Sequence, residues 1–286
     1  KLVQKDFTGG VQYLQQALDV DPNFVPAVNL LLALDLARSG VPQATERLEA
    51  HVQKAPNNSV MHSLLGGLYL RANRNADALA QFQKAVELDK TNSDAWELLG
   101  KTQAQMGQPE QMLATYRRWV SLDPKSVSAH VLLGQISEQK GDWKQAEMEY
   151  EQALKYDEHN GIAANNLAYL LLEHDGDRRQ ALKLAMEARR QFPESPVALD
   201  TLGWAYLFDG QLELAASTLE SSAGMNPKSA SNQYHLGVAY QKLKEWNKAA
   251  SHFQQSLSID PNSQVADTAR KAIGDIKAIA PGPAGQ

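Results

Sequence analysis

Residues 127–160 read VSAHVLLGQISEQKGDWKQAEMEYEQALKYDEHN, and the chain repeats that pattern at a period of 34 residues. The stretch closes on a helix stop at Asp157-Glu158. Comparable stops stand at Asp21-Pro22, Ala55-Pro56, Asp89-Lys90, Asp123-Pro124, Phe192-Pro193, Asn226-Pro227 and Asp260-Pro261. Their second residues lie 34, 34, 34, 34, 35, 34 and 34 apart. A single globular core requires no such regularity, whereas a stack of equivalent units does.

With the stop residue numbered 32, units begin at Val25, Ser59, Ser93, Val127, Gly161, Pro196 and Ala230. Position 7 is leucine in every one: Leu31, Leu65, Leu99, Leu133, Leu167, Leu202 and Leu236. Position 8 is small after the first unit (Gly66, Gly100, Gly134, Ala168, Gly203, Gly237), and position 20 is alanine except at Met112. Position 24 is mostly large, as in Phe82, Tyr116, Tyr150, Leu219 and Phe253. Positions 4, 7, 8 and 11 recur at helical spacing, as do 20, 24 and 27, so each unit holds two amphipathic helices. The break between them falls near position 15, at Gly107, Gly141 and Gly210, with Gly40 and Gly176 one residue later. Glycine accepts the left-handed conformation that ends a helix. Small residues at 8 and 20 let the two backbones approach, and the residue at 24 fills the space beside them. Proline at 32 stops the second helix.

Unit four keeps His130, Leu133, Gly134, Gly141, Trp143, Ala146, Tyr150 and Ala153, and this arrangement resembles the tetratricopeptide repeat, or TPR. The resemblance covers seven units and implies an all-α fold, a right-handed TPR superhelix (α-solenoid) of antiparallel helix pairs. The expected parts are a truncated unit at 1–24 and full units at 25–58, 59–92, 93–126, 127–160, 161–195, 196–229 and 230–263. A capping helix at 264–279 and a disordered tail at 280–286 follow, with Asn262 or Ser263 expected to cap that helix. Met112 and Trp119 enlarge unit three, and unit five carries one extra residue in its turn from Glu173 to Arg178. Val11, Leu14, Ala17 and Leu18 read as a second helix whose first helix is missing, so an array continuing upstream is expected.

Against 33 acidic residues stand 28 basic ones, a net charge of −5 with no basic run, which speaks against nucleic-acid binding. No apolar stretch reaches membrane-spanning length. The absence of cysteine excludes disulfides and thiol chemistry. Seven histidines (His51, His62, His130, His159, His174, His235, His252) show no metalloprotease spacing and are expected in packing or surface roles. Asp175-Gly176-Asp177 begins like a calcium loop. Arg178 and Arg179 follow where oxygen ligands are needed, so a lengthened turn is expected. Gly9-Gly10 and Gly66-Gly67 lack the lysine of a phosphate loop. Asn57-Asn58-Ser59 fits a glycosylation sequon, a triplet that also arises by chance. No Ser/His/Asp set has a nucleophile-elbow context. The chain is therefore read as a non-enzyme, with no catalytic, metal or cofactor site expected.

TPR arrays present the first helices of their units on a concave inner surface, and the family's ligand-facing slots are positions 2, 5, 9, 12 and 13. Carried over by that resemblance, units three and four offer a polar, mixed-charge surface. Units five to seven gather Tyr169, Trp204, Phe208 and Tyr234 beside Leu172, Val197 and Val238. Exposed aromatics on such a face are typical anchors for a peptide or helix. Asn165, Asp200 and Gln241 are placed to hydrogen-bond an extended backbone. The basic set of a carboxylate clamp is absent from these slots. Burial of the same aromatics against the next unit is the competing reading.

The run from Asn165 to Asp177, with Gln180 to Ala185 and Ala198 to Tyr206, resembles the paired units of bacterial envelope TPR proteins. The long TPR lipoproteins of exopolysaccharide-linked PEP-CTERM systems are the nearest in kind. That resemblance implies a periplasmic or outer-membrane-anchored scaffold, with a cytoplasmic one as the alternative, holding partners during polymer export or surface-protein sorting. The expected partner is a protein or peptide, with no nucleic acid and no membrane span of the chain's own. Two other readings stand beside this one. One is a TPR accessory region of a larger enzyme such as a glycosyltransferase. The other is a self-assembling scaffold in which an exposed end repeat fills another protomer's groove.

Overall fold

The computed structural model describes residues 7–279; the expected tail at 280–286 and the first six residues of the truncated unit lie outside the described residues. The chain there is helical throughout. Its helices are α1 (Phe7–Val20), α2 (Val25–Arg38), α3 (Val41–Lys54), α4 (Ser59–Arg71), α5 (Asn75–Leu88), α6 (Ser93–Gln105), α7 (Pro109–Leu122) and α8 (Val127–Gln139). There follow α9 (Trp143–Tyr156), α10 (Gly161–Glu173), α11 (Arg178–Gln191), α12 (Pro196–Phe208), α13 (Leu212–Met225), α14 (Ala230–Lys242), α15 (Trp246–Ile259) and α16 (Ala266–Ile279). They come in sequential antiparallel pairs, one pair per sequence unit.

Two compact units divide between Leu133 and Gly134. In the first, α1 to α7 each pack against the next, and α4 also touches α6. In the second, α9 to α16 do the same, and α12 touches both α10 and α14. The first helices of sequence units five, six and seven thus lie side by side.

The pattern of small and large residues works as expected. Ala44, Ala78, Ala146, Ala181, Ala215 and Ala249 at position 20 are completely buried. A Cβ on Gly134 would stand 2.5 Å from Tyr150 Cε1, and one on Gly237 would stand 2.8 Å from Phe253 Cδ1. Unit three solves its enlarged position 27 by stacking: Trp119 lies parallel to the position-4 ring of Trp96, with centroids 6.3 Å apart.

The stop is made of more than proline. Asp89, Asp123, Asp157 and Asp260, all at position 31, accept with Oδ1 from the backbone N–H two residues on. This Asx turn explains why Asp89-Lys90 and Asp157-Glu158 end helices without proline. Three residues after the first residue of the stop, whether or not that is an aspartate, Asn58, Asn92, Ser126, Asn160, Ser195 and Ser229 accept from backbone N–H groups at the start of the following helix. A third contact spans the stop: the ring N–H of His62, Trp96 or His130 at position 4 meets the carbonyl of Pro56, Lys90 or Pro124 at 2.9, 2.9 and 3.1 Å.

Two expectations need correction. The last helix begins at Ala266, and Ser263 donates its hydroxyl to the Asp260 carbonyl instead of capping it. The inter-helix turn does not depend on glycine. Asn73, Asp175 and Lys244 occupy position 15 with φ of 57°, 55° and 62°, as Gly107, Gly141 and Gly210 do in other units. In unit five the left-handed residue is therefore Asp175, not Gly176. Gly176 is small for another reason, since a Cβ there would stand 2.5 Å from Leu171 Cδ2.

Candidate functional site

The face built by α10, α12 and α14 is held in register by caps. Asn160, Ser195 and Ser229 fix the three N-termini. The ligand-facing slots of the resemblance then fall in rows across neighbouring helices. Asn165, Asp200 and Tyr234 share one row, and Tyr169, Trp204 and Val238 the next.

The structure sorts the expected anchors into three groups. Trp204, Leu172 and Asp200 are buried, at 6%, 4% and 7% exposure. Asn165, Tyr169, Phe208, Tyr234, Val238 and Gln241 are half-buried. Val197 is exposed at 58%, and Ile162, in the equivalent slot of α10, at 46%. Trp204 is thus not an exposed anchor. It stacks on His235 with centroids 4.1 Å apart, meets Phe208 edge-on at 5.2 Å, and donates Nε1–H to Glu173 Oε1 at 2.8 Å. The apolar side chains that reach the outer surface are Ile162, Val197, Tyr169, Phe208, Tyr234 and Val238.

Sequence reasoning missed His235, the fully buried hub of this cluster. Tyr169 and Tyr234 approach its ring at 6.2 and 5.9 Å, and its Nδ1 meets Asp200 Oδ2 at 2.8 Å. A carboxylate can only accept, so Nδ1 carries the proton of that bond. The available signal was the pairing of a histidine at position 6 of one unit with an aspartate at position 5 of the preceding one.

Burial pushes the Tyr169 hydroxyl well above the usual tyrosine range, and the carboxylates of Glu173, Asp200 and Glu138 push it further the same way. Burial is also the main cause that raises Tyr234, partly offset by a hydrogen bond with Thr268 on α16. Arg178 lies 5.2 Å over the Phe208 ring, a cation on an aromatic face at the rim.

Five further histidines and the calcium-like triplet have structural roles. His51 and His62 bind backbone carbonyls of Pro22 and Pro56, His252 meets Gln233 Oε1 at 2.8 Å, and His174 stacks on Trp143 at 4.2 Å. His159 joins Glu187 and Arg190 at the surface. Asp177 of the triplet caps α11, accepting from Arg179 and Gln180 N–H. Among the described residues no group of three potential metal ligands forms, and no helix is long and apolar enough to cross a membrane.

Family profiles described as "Tetratricopeptide repeat" match residues 93–126, 131–196 and 233–263, and one described as "TPR repeat" matches 66–107. A stretch of 76 residues is 32% identical to the Arabidopsis thaliana protein "Tetratricopeptide repeat domain-containing protein PYG7, chloroplastic" and covers 27% of this chain and 25% of that one. Among solved structures, the "APC/C hetero-tetramer Cut9-Hcn1" superimposes with a TM-score of 0.63 at 20% identity, covering 96% of this chain and 54% of that one. A TPR protein from Parabacteroides merdae gives 0.54 at 18% identity, covering 86% and 97%. PilW, described as a "widely conserved type IV pilus biogenesis factor", gives 0.56 at 18% identity, covering 73% and 97%. The chain thus spans a quarter of the curated relative and about half of the Cut9-Hcn1 chain. Likeness at these identities concerns the fold.

Proposed function

The chain belongs to the tetratricopeptide-repeat family, and on that premise we propose that it is a non-catalytic scaffold that docks a partner peptide or helix across the first helices of units five to seven. One observation carries this reading. Ile162 and Val197 stand exposed in equivalent slots of neighbouring helices, on the helices and face that also carry the half-buried rings of Tyr169, Phe208 and Tyr234. Repeat proteins bury apolar side chains against their neighbours, so an apolar strip left outside the stack points to a partner. The buried cluster of Trp204, His235 and Asp200 makes the floor beneath that strip rigid, which lowers the entropy lost on binding.

The test is panning of a random peptide library against the wild-type chain and Val197→Glu. Selected peptides that bind the wild type and lose about tenfold or more on the variant support the reading. Helical circular dichroism of the two proteins should coincide. Equal binding to both would move the site elsewhere.

We further place the scaffold in a bacterial envelope, in the service of polymer export or surface-protein sorting. This rests on the resemblance of residues 165–206 alone. The encoding gene tests it: a signal peptide ending in a lipidated cysteine upstream of Lys1 supports the placement, and an enzyme domain there favours the accessory-region alternative.

A further inference from the structure

Asp200 is an aspartate with half of its charge answered. Its Oδ2 accepts from His235 Nδ1 at 2.8 Å, while its Oδ1 is buried without a hydrogen-bond partner. Its side chain is 10% exposed. One helix over, in the same slot of α10, Asn165 Oδ1 is also buried without a partner. Buried polar atoms are nearly always satisfied, and a carboxylate oxygen most of all. Two unanswered acceptors in matching slots of adjacent helices are a specific departure from that rule.

Carboxylates gather beside them. The charged groups acting on the neighbouring Tyr169 hydroxyl are Glu173, Asp200 and Glu138. Glu173 accepts from Trp204 Nε1, and Glu138 accepts from the Tyr150 hydroxyl. Arg178 is committed to the outer face of Phe208. Unanswered acceptors among aromatic rings, with carboxylates close by, select a cation that donates hydrogen bonds.

The geometry also chooses between the two cationic side chains. Arginine binds carboxylates best as a fork onto both oxygens. Here Oδ2 is already taken by His235. The single acceptors of Asp200 and Asn165 sit on different helices and suit an ammonium, a compact charge with three donors on a slender stem. Neither oxygen is open to solvent, so entry requires a side chain of this half-buried face to move aside.

We propose that this face binds a lysine side chain of the docked segment, its ammonium held by Asp200 Oδ1 and Asn165 Oδ1 beside Tyr169 and Tyr234. The proposal rests on the peptide-binding reading above and states what that groove selects. First helices pack about 8–10 Å apart and an extended chain advances about 3.3 Å per residue, so neighbouring helices meet side chains about three residues apart. One lysine at a fixed distance from an apolar residue over Val197 is the expected signature.

The experiment uses the full chain and acetylated, amidated nonapeptides from the library described above. Selected peptides should carry lysine at one register. Replacing that lysine by norleucine should weaken binding about tenfold or more, and replacing it by arginine should weaken it measurably. Both losses should shrink to near nothing in Asp200→Asn. Asn165→Leu and Glu173→Gln serve as second variants should Asp200→Asn fail to fold, and each should reduce the lysine preference. Peptides that bind through Val197 without lysine selection, or with arginine preferred, overturn the lysine site and leave the docking groove intact. A preference unchanged in all three variants also overturns it. Peptides indifferent to Val197→Glu overturn both readings.

Discussion

Phe82 fills the space in which a side chain on Gly66 would have to stand: a Cβ there would lie 2.6 Å from Phe82 Cε1. Phe82 is fully buried and has nowhere to go. The next residue, Gly67, faces open space, with nothing within 4 Å of the same methyl group. Both glycines lie inside α4, so two adjacent positions oppose each other in sign. Gly66→Ala should lower stability by about 1–3 kcal/mol through overpacking. Gly67→Ala should raise it by about 0.5–1 kcal/mol, because alanine is the better helix former. Urea midpoints of the two single variants decide the matter. A stable Gly66→Ala would mean that close helix approach is not what keeps position 8 small.

Fold and binding separate at Trp204 and Val197. Trp204 is buried, stacked and hydrogen-bonded, so Trp204→Ala should cost about 3–5 kcal/mol. Val197, exposed at 58%, should tolerate Val197→Ala within about 0.5 kcal/mol while partner affinity falls. Thermal melts followed by circular dichroism, set beside peptide binding, distinguish the two. A folded, stable Trp204→Ala protein with weakened binding would return Trp204 to the ligand surface.

Lys244 holds a left-handed conformation, φ 62°, at the turn where Gly107, Gly141 and Gly210 stand in other units. A side chain there costs about 1–2 kcal/mol in backbone sterics, and glycine gives part of this back as unfolded-state entropy. Lys244→Gly should therefore stabilise by about 0.5–1 kcal/mol. Lys244→Val, which adds a β-branch to the same angle, should destabilise. Matched melting curves of the two variants check the prediction.

The repeat was legible because its causes are local. Leucine at position 7, a small residue at 8 and a bulky one at 24 are read directly from spacing. The turn chemistry was harder to see. Asp at position 31 and Asn or Ser at position 34 are short polar residues whose roles depend on which backbone N–H they meet. Proline, whose effect on a helix needs no partner, is the more conspicuous signal at the same place. The face of units five to seven was only half legible. Slot numbering placed Trp204 and Tyr169 in one row, but burial depends on the neighbouring helix. Only the structure brings His235 under the Trp204 ring and turns an expected anchor into the floor of the site.

Tyrosines set an alkaline limit on stability. Burial is the largest cause in each of five cases, raising Tyr69 to about 12 and pushing Tyr116, Tyr150, Tyr169 and Tyr234 up as well. Nearby carboxylates add to the effect: Glu49 and Glu138 accept from the Tyr69 and Tyr150 hydroxyls. A phenol whose folded value lies above its unfolded value of about 10 stays protonated in the native state while the unfolded chain ionises. The native state then binds more protons than the unfolded one. Stability is undiminished below about pH 10 and falls as pH rises toward the folded values. Absorbance at the tyrosinate band should show only part of the nine tyrosines ionising between about pH 10 and 11, with the rest appearing together with loss of helical signal. Tyr150→Phe removes one such group together with its bond to Glu138. The variant should lose less stability than the wild type between about pH 9 and 11, while starting lower at neutral pH through the broken hydrogen bond. Titration of all nine tyrosines in one step near pH 10, with helix retained, would remove the buried tyrosines as the cause.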